Sequence, residues 1–133
     1  MRIRREDFQI IVEHAKSEVP YEACGALLGR KGEEKTVERV VKAKNILKSS
    51  VEYQIAAEEV LEIFKLAELL GVEVLGFYHS HPFHGPFWSA TDDERSKLWV
   101  GYLFLIFSPK TSEARCYLRV DEDRVEEEPI NIV

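Results

Sequence analysis

No stretch of this 133-residue chain is apolar for long enough to span a bilayer, so a transmembrane protein is not expected. Proline (5) and glycine (7) are sparse while apolar residues reach 45%, which sets aside disordered and fibrous classes. A basic excess is also missing. The net charge is −6 and the pI near 5.3, so there is no cationic surface to release counterions from a nucleic acid, and neither nucleic acid nor membrane is expected as a partner. The first residues, Met1-Arg2-Ile3-Arg4-Arg5-Glu6-Asp7, place two acids where a secretory signal needs its apolar segment, which makes the cytoplasm the default location. Only two cysteines occur, Cys24 and Cys116, and they lack the Cys-x-x-Cys spacing of structural zinc sites. They would stay reduced in most cytosols but could pair in a hyperthermophile, and both alternatives stay open. Asn and Gln appear twice each and Met once against 32% charged residues, a composition leaning toward heat adaptation. The length suits one domain, residues 1–133, with a single core.

What is present reads as alternating elements. Phe8, Ile11, Val12, Ala15 and Val19 recur at helical spacing over Arg5 to Val19, where Pro20 stops the helix; His14 falls on its polar, solvated side. Cys24 to Gly29 and Thr36 to Ala43 form a hairpin around Gly29-Arg30-Lys31-Gly32. Ala56 to Leu70 carries Val60, Ile63, Phe64, Ala67 and Leu70 on one face, with Gly71 suited to end a helix. Val72 to Tyr78, Tyr102 to Phe107 and Cys116 to Val120 read as strands, and acidic Asp121 to Glu128 as a solvated turn and tail. Between the first two of these strands, an irregular segment with Pro82, Gly85 and Pro86 becomes helical from about Thr91. This order implies an α/β or α+β architecture, a mixed sheet flanked by helices.

Chemistry concentrates in that segment. His79-Ser80-His81 follows a strand, and residues two apart on a strand project to one face, so two imidazoles leave the sheet end together. Zinc takes His nitrogens and carboxylate oxygens, and a catalytic site keeps three protein ligands and an open fourth position. Asp92 is the best third ligand, eleven residues after His81, beyond a Pro and Gly loop and at a helix start. Ser89 could donate to a carbonyl oxygen gaining negative charge. Each also has a plain structural reading. A lone histidine is usually a surface or core residue, and Ser89 with Asp92, or Thr91 with Glu94, could be a helix capping box, a role compatible with catalysis. His84 reads as exposed and Cys24 as a small buried apolar residue rather than a nucleophile. Phe83, Phe87 and Trp88 either pack beneath the site or contact a partner.

Taken together, His79-Ser80-His81-Pro82, Ser89-Ala90-Thr91-Asp92 and a distant Glu22 resemble the JAMM metalloproteases, the MPN+ domain, whose signature is Glu followed by His-x-His, ten residues and Asp, with Ser in the gap. Pro20 to Leu27 is similar to that family's first motif, and Gly76-Phe77-Tyr78 to its central strand. One departure is Trp88, where many members have Pro. The long insertions that embrace ubiquitin chains in eukaryotic relatives are missing.

The resemblance implies a cytidine-deaminase-like JAMM/MPN fold, zinc held by His79, His81 and Asp92, Glu22 as general base toward the attacking water and Ser89 as oxyanion donor. It further implies hydrolysis of the bond after the C-terminal Gly-Gly of ubiquitin or a ubiquitin-like protein, with a homodimer as a further possibility. Two alternatives stand beside it: a peptidase processing the tail of a sulfur-carrier protein, and a non-catalytic MPN scaffold. A deaminase needs His-x-Glu and Pro-Cys-x-x-Cys, and neither is present.

Overall fold

Apolar side chains alternate to the two faces of one sheet, and a helix covers each face. The computed structural model describes residues 1–133. In chain order the elements are β1 (Arg2–Ile3), α1 (Arg5–Glu18), β2 (Cys24–Arg30), β3 (Thr36–Ala43), α2 (Ala57–Leu70), β4 (Glu73–Ser80), α3 (Ala90–Ser96), β5 (Leu103–Ser108), β6 (Glu113–Arg119), β7 (Val125–Glu128) and β8 (Asn131–Ile132). The sheet runs β7-β6-β5-β4-β2-β3-β1-β8. β2 pairs antiparallel with β3 and β4, whereas β4 and β5 are parallel and are joined by the crossover that contains α3. No helix is long and apolar enough to cross a membrane.

On one face α1 sets Ile11, Val12 and Ala15 against Leu27, Tyr78, Leu105 and Phe107; on the other α2 sets Ile63 and Ala67 against Ala26, Leu28, Phe77 and Phe104. Gly71 ends α2 in the left-handed conformation at φ 70°, as its position suggested. A β-bulge inserts Leu75 into β4, where Leu27 and Leu28 oppose Gly76 and Val74. The extra residue resets the alternation, so that Phe77 faces α2 and Tyr78 faces α1.

Several sequence expectations are corrected. β4 continues through Ser80, so His79 lies inside the strand rather than after it. Residues 125–128 of the acidic tail form an edge strand on β6; a row of glutamates can satisfy backbone pairing on one side while its charge discourages pairing on the other. β1 and β8 are two residues each, too short to show any period, and exist because β1 pairs with β3 on one side and β8 on the other. His14 is not solvated: its side chain is 9% exposed and Nδ1 lies 2.7 Å from the Tyr78 hydroxyl, with burial holding the imidazole below its ordinary pKa. Cys24 and Cys116 are both free and buried. They sit three strands apart, about 14 Å at the usual spacing, in clusters on opposite faces, so they cannot pair.

Gly76 presses directly on the backbone carbonyl of Leu103, where a Cβ has no room. Gly76→Ala should therefore force β4 from β5 and lower the unfolding free energy by about 1–3 kcal/mol or more, read as a fall in the urea midpoint.

Candidate metal centre

The end of β4 carries the site. His79 is paired across the backbone to Cys24 on one side and Ile106 on the other, and its side chain is 1% exposed. Ser80 points to the opposite face and bolts the sheet end together: its amide donates to the Ala23 carbonyl at 3.1 Å and its hydroxyl accepts the Ala23 N–H at 2.8 Å. His81 leaves the strand with its amide bound to the Phe107 carbonyl at 3.0 Å, and its Nδ1 lies 2.9 Å from the Gly85 carbonyl. A carbonyl only accepts, so Nδ1 carries the proton and the Nε2 lone pair is free.

Asp92 reaches the same place from α3. Of the two capping boxes the sequence allows, the Ser89–Asp92 form is the one made: Ser89 N–H donates to Asp92 Oδ2 at 3.1 Å and Asp92 N–H donates to Ser89 Oγ at 3.0 Å. Capping thus fixes the Asp92 carboxylate and leaves the Ser89 hydroxyl proton free to donate elsewhere. Asp92 Oδ1 then lies 2.9 Å from His79 Nε2, and Oδ2 3.2 Å from His81 Nε2. One potential ligand atom from each of the three residues lies within 4.8 Å of the others.

Although His79 Nε2 is at hydrogen-bond length from Asp92, neither nitrogen of this buried ring has a hydrogen-bond partner of acceptable geometry. The donors aim past one another. That is the arrangement of side chains converging on a shared third point, and two imidazoles with one carboxylate suit a divalent cation that accepts nitrogen and oxygen. Burial alone would raise the Asp92 pKa, but the adjacent His79 and His81 hold it far below the usual carboxylate range. For His81, burial works downward and is overcome by Asp92 and the Gly85 carbonyl, which lift the imidazole above its ordinary value.

Glu22 stands at the same sheet end, one residue before the Ala23–Ser80 lock. It is 3% exposed and its Oε1 has no partner. Burial, followed by the negative charges of Asp92 and Glu52, pushes its carboxyl up to about 9. Its backbone is held on both sides, by Glu22 N–H to the Ser49 carbonyl at 2.8 Å and by Asn45 Nδ2 to the Glu22 carbonyl at 3.1 Å.

Sequence reasoning missed the segment 44–56, which has no periodicity to betray it. Asn45 organises it, and the only sequence signal was that Asn45 is one of two asparagines in the chain. Arg119 was also missed. This guanidinium is 0% exposed and its Nη2 donates to the Asp93 carbonyl at 2.8 Å, Asp93 Oδ1 at 2.8 Å and Ser96 Oγ at 2.7 Å, anchoring α3 beside Asp92. Its mark in the sequence was a charge among the apolar residues of a strand.

The aromatic loop divides. Trp88 packs inward on Phe104 and Tyr117, whereas Phe83 and Phe87 are exposed, Phe87 lying 5.5 Å from the His81 ring. His84 is exposed, as expected. Beside His79 and Asp92 a narrow cavity of about 20 Å³ is walled by Tyr53 and Trp88. It adjoins an apolar cleft of about 140 Å³ lined by Tyr53, Ile55, Val60, Phe77, Trp99 and Phe104.

Residues 4–120 match the family model described as prokaryotic homologs of the JAB domain. The chain is 40% identical to the desampylase of Haloferax volcanii over 98 residues, 73% of this chain and 69% of that one. It is 30% identical to the CysO-cysteine peptidase of Mycobacterium tuberculosis over 133 residues, covering 98% of this chain and 90% of the relative. A solution structure of a Desulfitobacterium hafniense protein superposes with a TM-score of 0.88 at 30% identity, covering 100% of this chain and 93% of that one. A crystal structure of a JAB1/MPN domain protein from Archaeoglobus fulgidus shares the fold, with a TM-score of 0.64 at 24% identity and coverage of 100% and 99%.

The Glu22 carboxyl generates a stability prediction. Its folded pKa near 9 lies above the ordinary 4.5, so the folded state holds a proton that the unfolded state releases between those values, and stability falls as pH rises through that window. In metal-free protein, Glu22→Gln should raise the melting temperature at pH 8, by the equivalent of a few kcal/mol, and the gain should vanish toward pH 4.5. Thermal melts of both proteins in chelator across that range measure it.

Proposed function

The chain belongs to the prokaryotic JAB-domain family, and on that premise we propose that it is a zinc-dependent peptidase cleaving the peptide or isopeptide bond after the C-terminal Gly-Gly of a ubiquitin-like small modifier. The observation that carries this reading is the convergence of His79, His81 and Asp92 with both His79 nitrogens unpartnered, beside the unpartnered Oε1 of Glu22. In this reading the three converging side chains are the metal ligands, Glu22 the general base and Ser89 the oxyanion donor.

Zinc held by those ligands would supply Lewis acidity, drawing down the pKa of water and polarising the scissile carbonyl. The protein side chains do the rest. Glu22 Oε1, free of any partner, takes a proton from the attacking water as the C–O bond forms, and delivers it to the amine nitrogen as the C–N bond breaks. The Ser89 hydroxyl, whose oxygen is committed to the Asp92 amide, directs its proton at the developing oxyanion. Buried Ser80 and Asn45 hold the base at the reacting end of the sheet.

The cavities support a Gly-Gly tail. The space between Tyr53 and Trp88 is narrow and would suit residues without side chains, while the adjoining apolar cleft would suit the larger residues that precede them. A second reading, processing of a sulfur-carrier tail, is favoured by the similarity to the CysO-cysteine peptidase, which extends over 98% of the chain. Both use the same site and differ only in the partner.

The test is hydrolysis of ubiquitin-like and sulfur-carrier proteins bearing a fluorogenic amine on the terminal Gly-Gly. Activity should require zinc, vanish with chelator and with Asp92→Ala, and vanish with Glu22→Gln while zinc content is kept. Ser89→Ala should lose about 10²–10³ in kcat. Zinc-loaded protein that cleaves neither class of substrate would overturn the peptidase reading in favour of a scaffold.

A further inference from the structure

The two histidines of the centre are oriented by different means. Histidines that bind metals almost always donate the other ring N–H to a carbonyl, carboxylate or water, which fixes the ring and its tautomer. His81 obeys this through Gly85. His79 does not, since both of its nitrogens lack hydrogen-bond partners and the ring is buried. Something else must keep the imidazole from turning about its side-chain bond.

What lies against it is Tyr53. The phenol ring stacks on the imidazole with centroids 4.7 Å apart and planes 25° from parallel, while the His81 ring, at 5.1 Å and 57°, approaches it tilted. Tyr53 is itself held by both neighbours. Asn45 donates to the Glu52 carbonyl at 3.1 Å and accepts the Gln54 N–H at 3.2 Å, bracketing the residue between them. The Glu52 carboxylate is tied in turn to Arg95 of α3 at 2.8 Å. Asn45 also binds the Glu22 carbonyl, so one buried amide sets both the stacking partner of His79 and the backbone of Glu22.

We propose that Tyr53 is the positioning residue of His79, its stacked ring holding the imidazole toward the metal point as the Gly85 carbonyl does for His81. The inference rests on the metal reading of His79, His81 and Asp92. It requires the aromatic face of Tyr53 and not its hydroxyl.

The experiment compares zinc affinity, by chelator competition, in the wild type, Tyr53→Phe and Tyr53→Leu, together with the cobalt(II) absorption spectrum of each. Tyr53→Leu should weaken zinc by about tenfold or more, the scale of losing an outer-shell partner, and alter the cobalt bands, whereas Tyr53→Phe should keep both. If Tyr53→Leu does not fold, shown by its circular dichroism, Tyr53→Met replaces it under the same criteria. Wild-type affinity in the aliphatic variant overturns the proposal, as does an equal loss in Tyr53→Phe, which would assign the hydroxyl. A wild type that takes up no zinc overturns the metal reading and this inference with it.

Discussion

The structure depends on one costly placement: Glu22, His79, His81 and Asp92 are all buried at one end of a sheet, with bonds to the scaffold but no well-formed hydrogen bond from His79 to any of them. Removing carboxylates and imidazoles from water is unfavourable unless each finds a partner. Left to themselves these side chains would reorient toward one another or toward solvent. Their fixed, incompletely satisfied state has to be imposed by the surrounding backbone, and most of the polar contacts around the site serve that end.

Imposition starts at the sheet. The bulge at Leu75 sets which face His79 occupies, and the packing of Gly76 on Leu103 holds β4 close to β5 so that the strand reaches His79 in register. Ser80 then ties that strand end to Ala23, and hence to Glu22. From the opposite side, Arg119 gathers the middle and last residues of α3, and the capping box turns the helix start into a rigid mount for Asp92. A single Nη2 of this buried guanidinium reaches a carbonyl, a carboxylate and a hydroxyl at once, holding the helix against β6.

The same physics explains which parts were legible in the sequence. The two long helices and the central strands follow from periodic burial, because each element shows one face to a core, and Gly71 ended α2 where its sequence position suggested. The metal-type donors were visible because His-x-His and Asp92 are local features, and Ser89–Asp92 was readable as a capping box before it was seen as a mount. Glu22 was legible only through a resemblance, since nothing around it distinguishes one acid among 24 Asp and Glu. Segment 44–56, His14 and Arg119 were not legible, as each is defined by partners distant in sequence: Glu22, Tyr78 and Asp93. Long-range hydrogen bonds leave no period behind.

The charge arrangement adds a coupling between the residues. Burial, and then the negative charge of Asp92 ionised between its two histidines and of Glu52, pushes the neighbouring Glu22 carboxyl up to about 9, so that it holds its proton at neutral pH. A protonated carboxyl cannot serve as a base. A divalent cation held by His79, His81 and Asp92 reverses the sign of the local field, and that reversal favours the Glu22 carboxylate. In the proposed reading, Glu22 would therefore gain its basic form once His79, His81 and Asp92 hold a cation. On that proposal, burial would make the base conditional on a complete site, which gives a physical reason for keeping Glu22 where folding alone would not place a carboxylate.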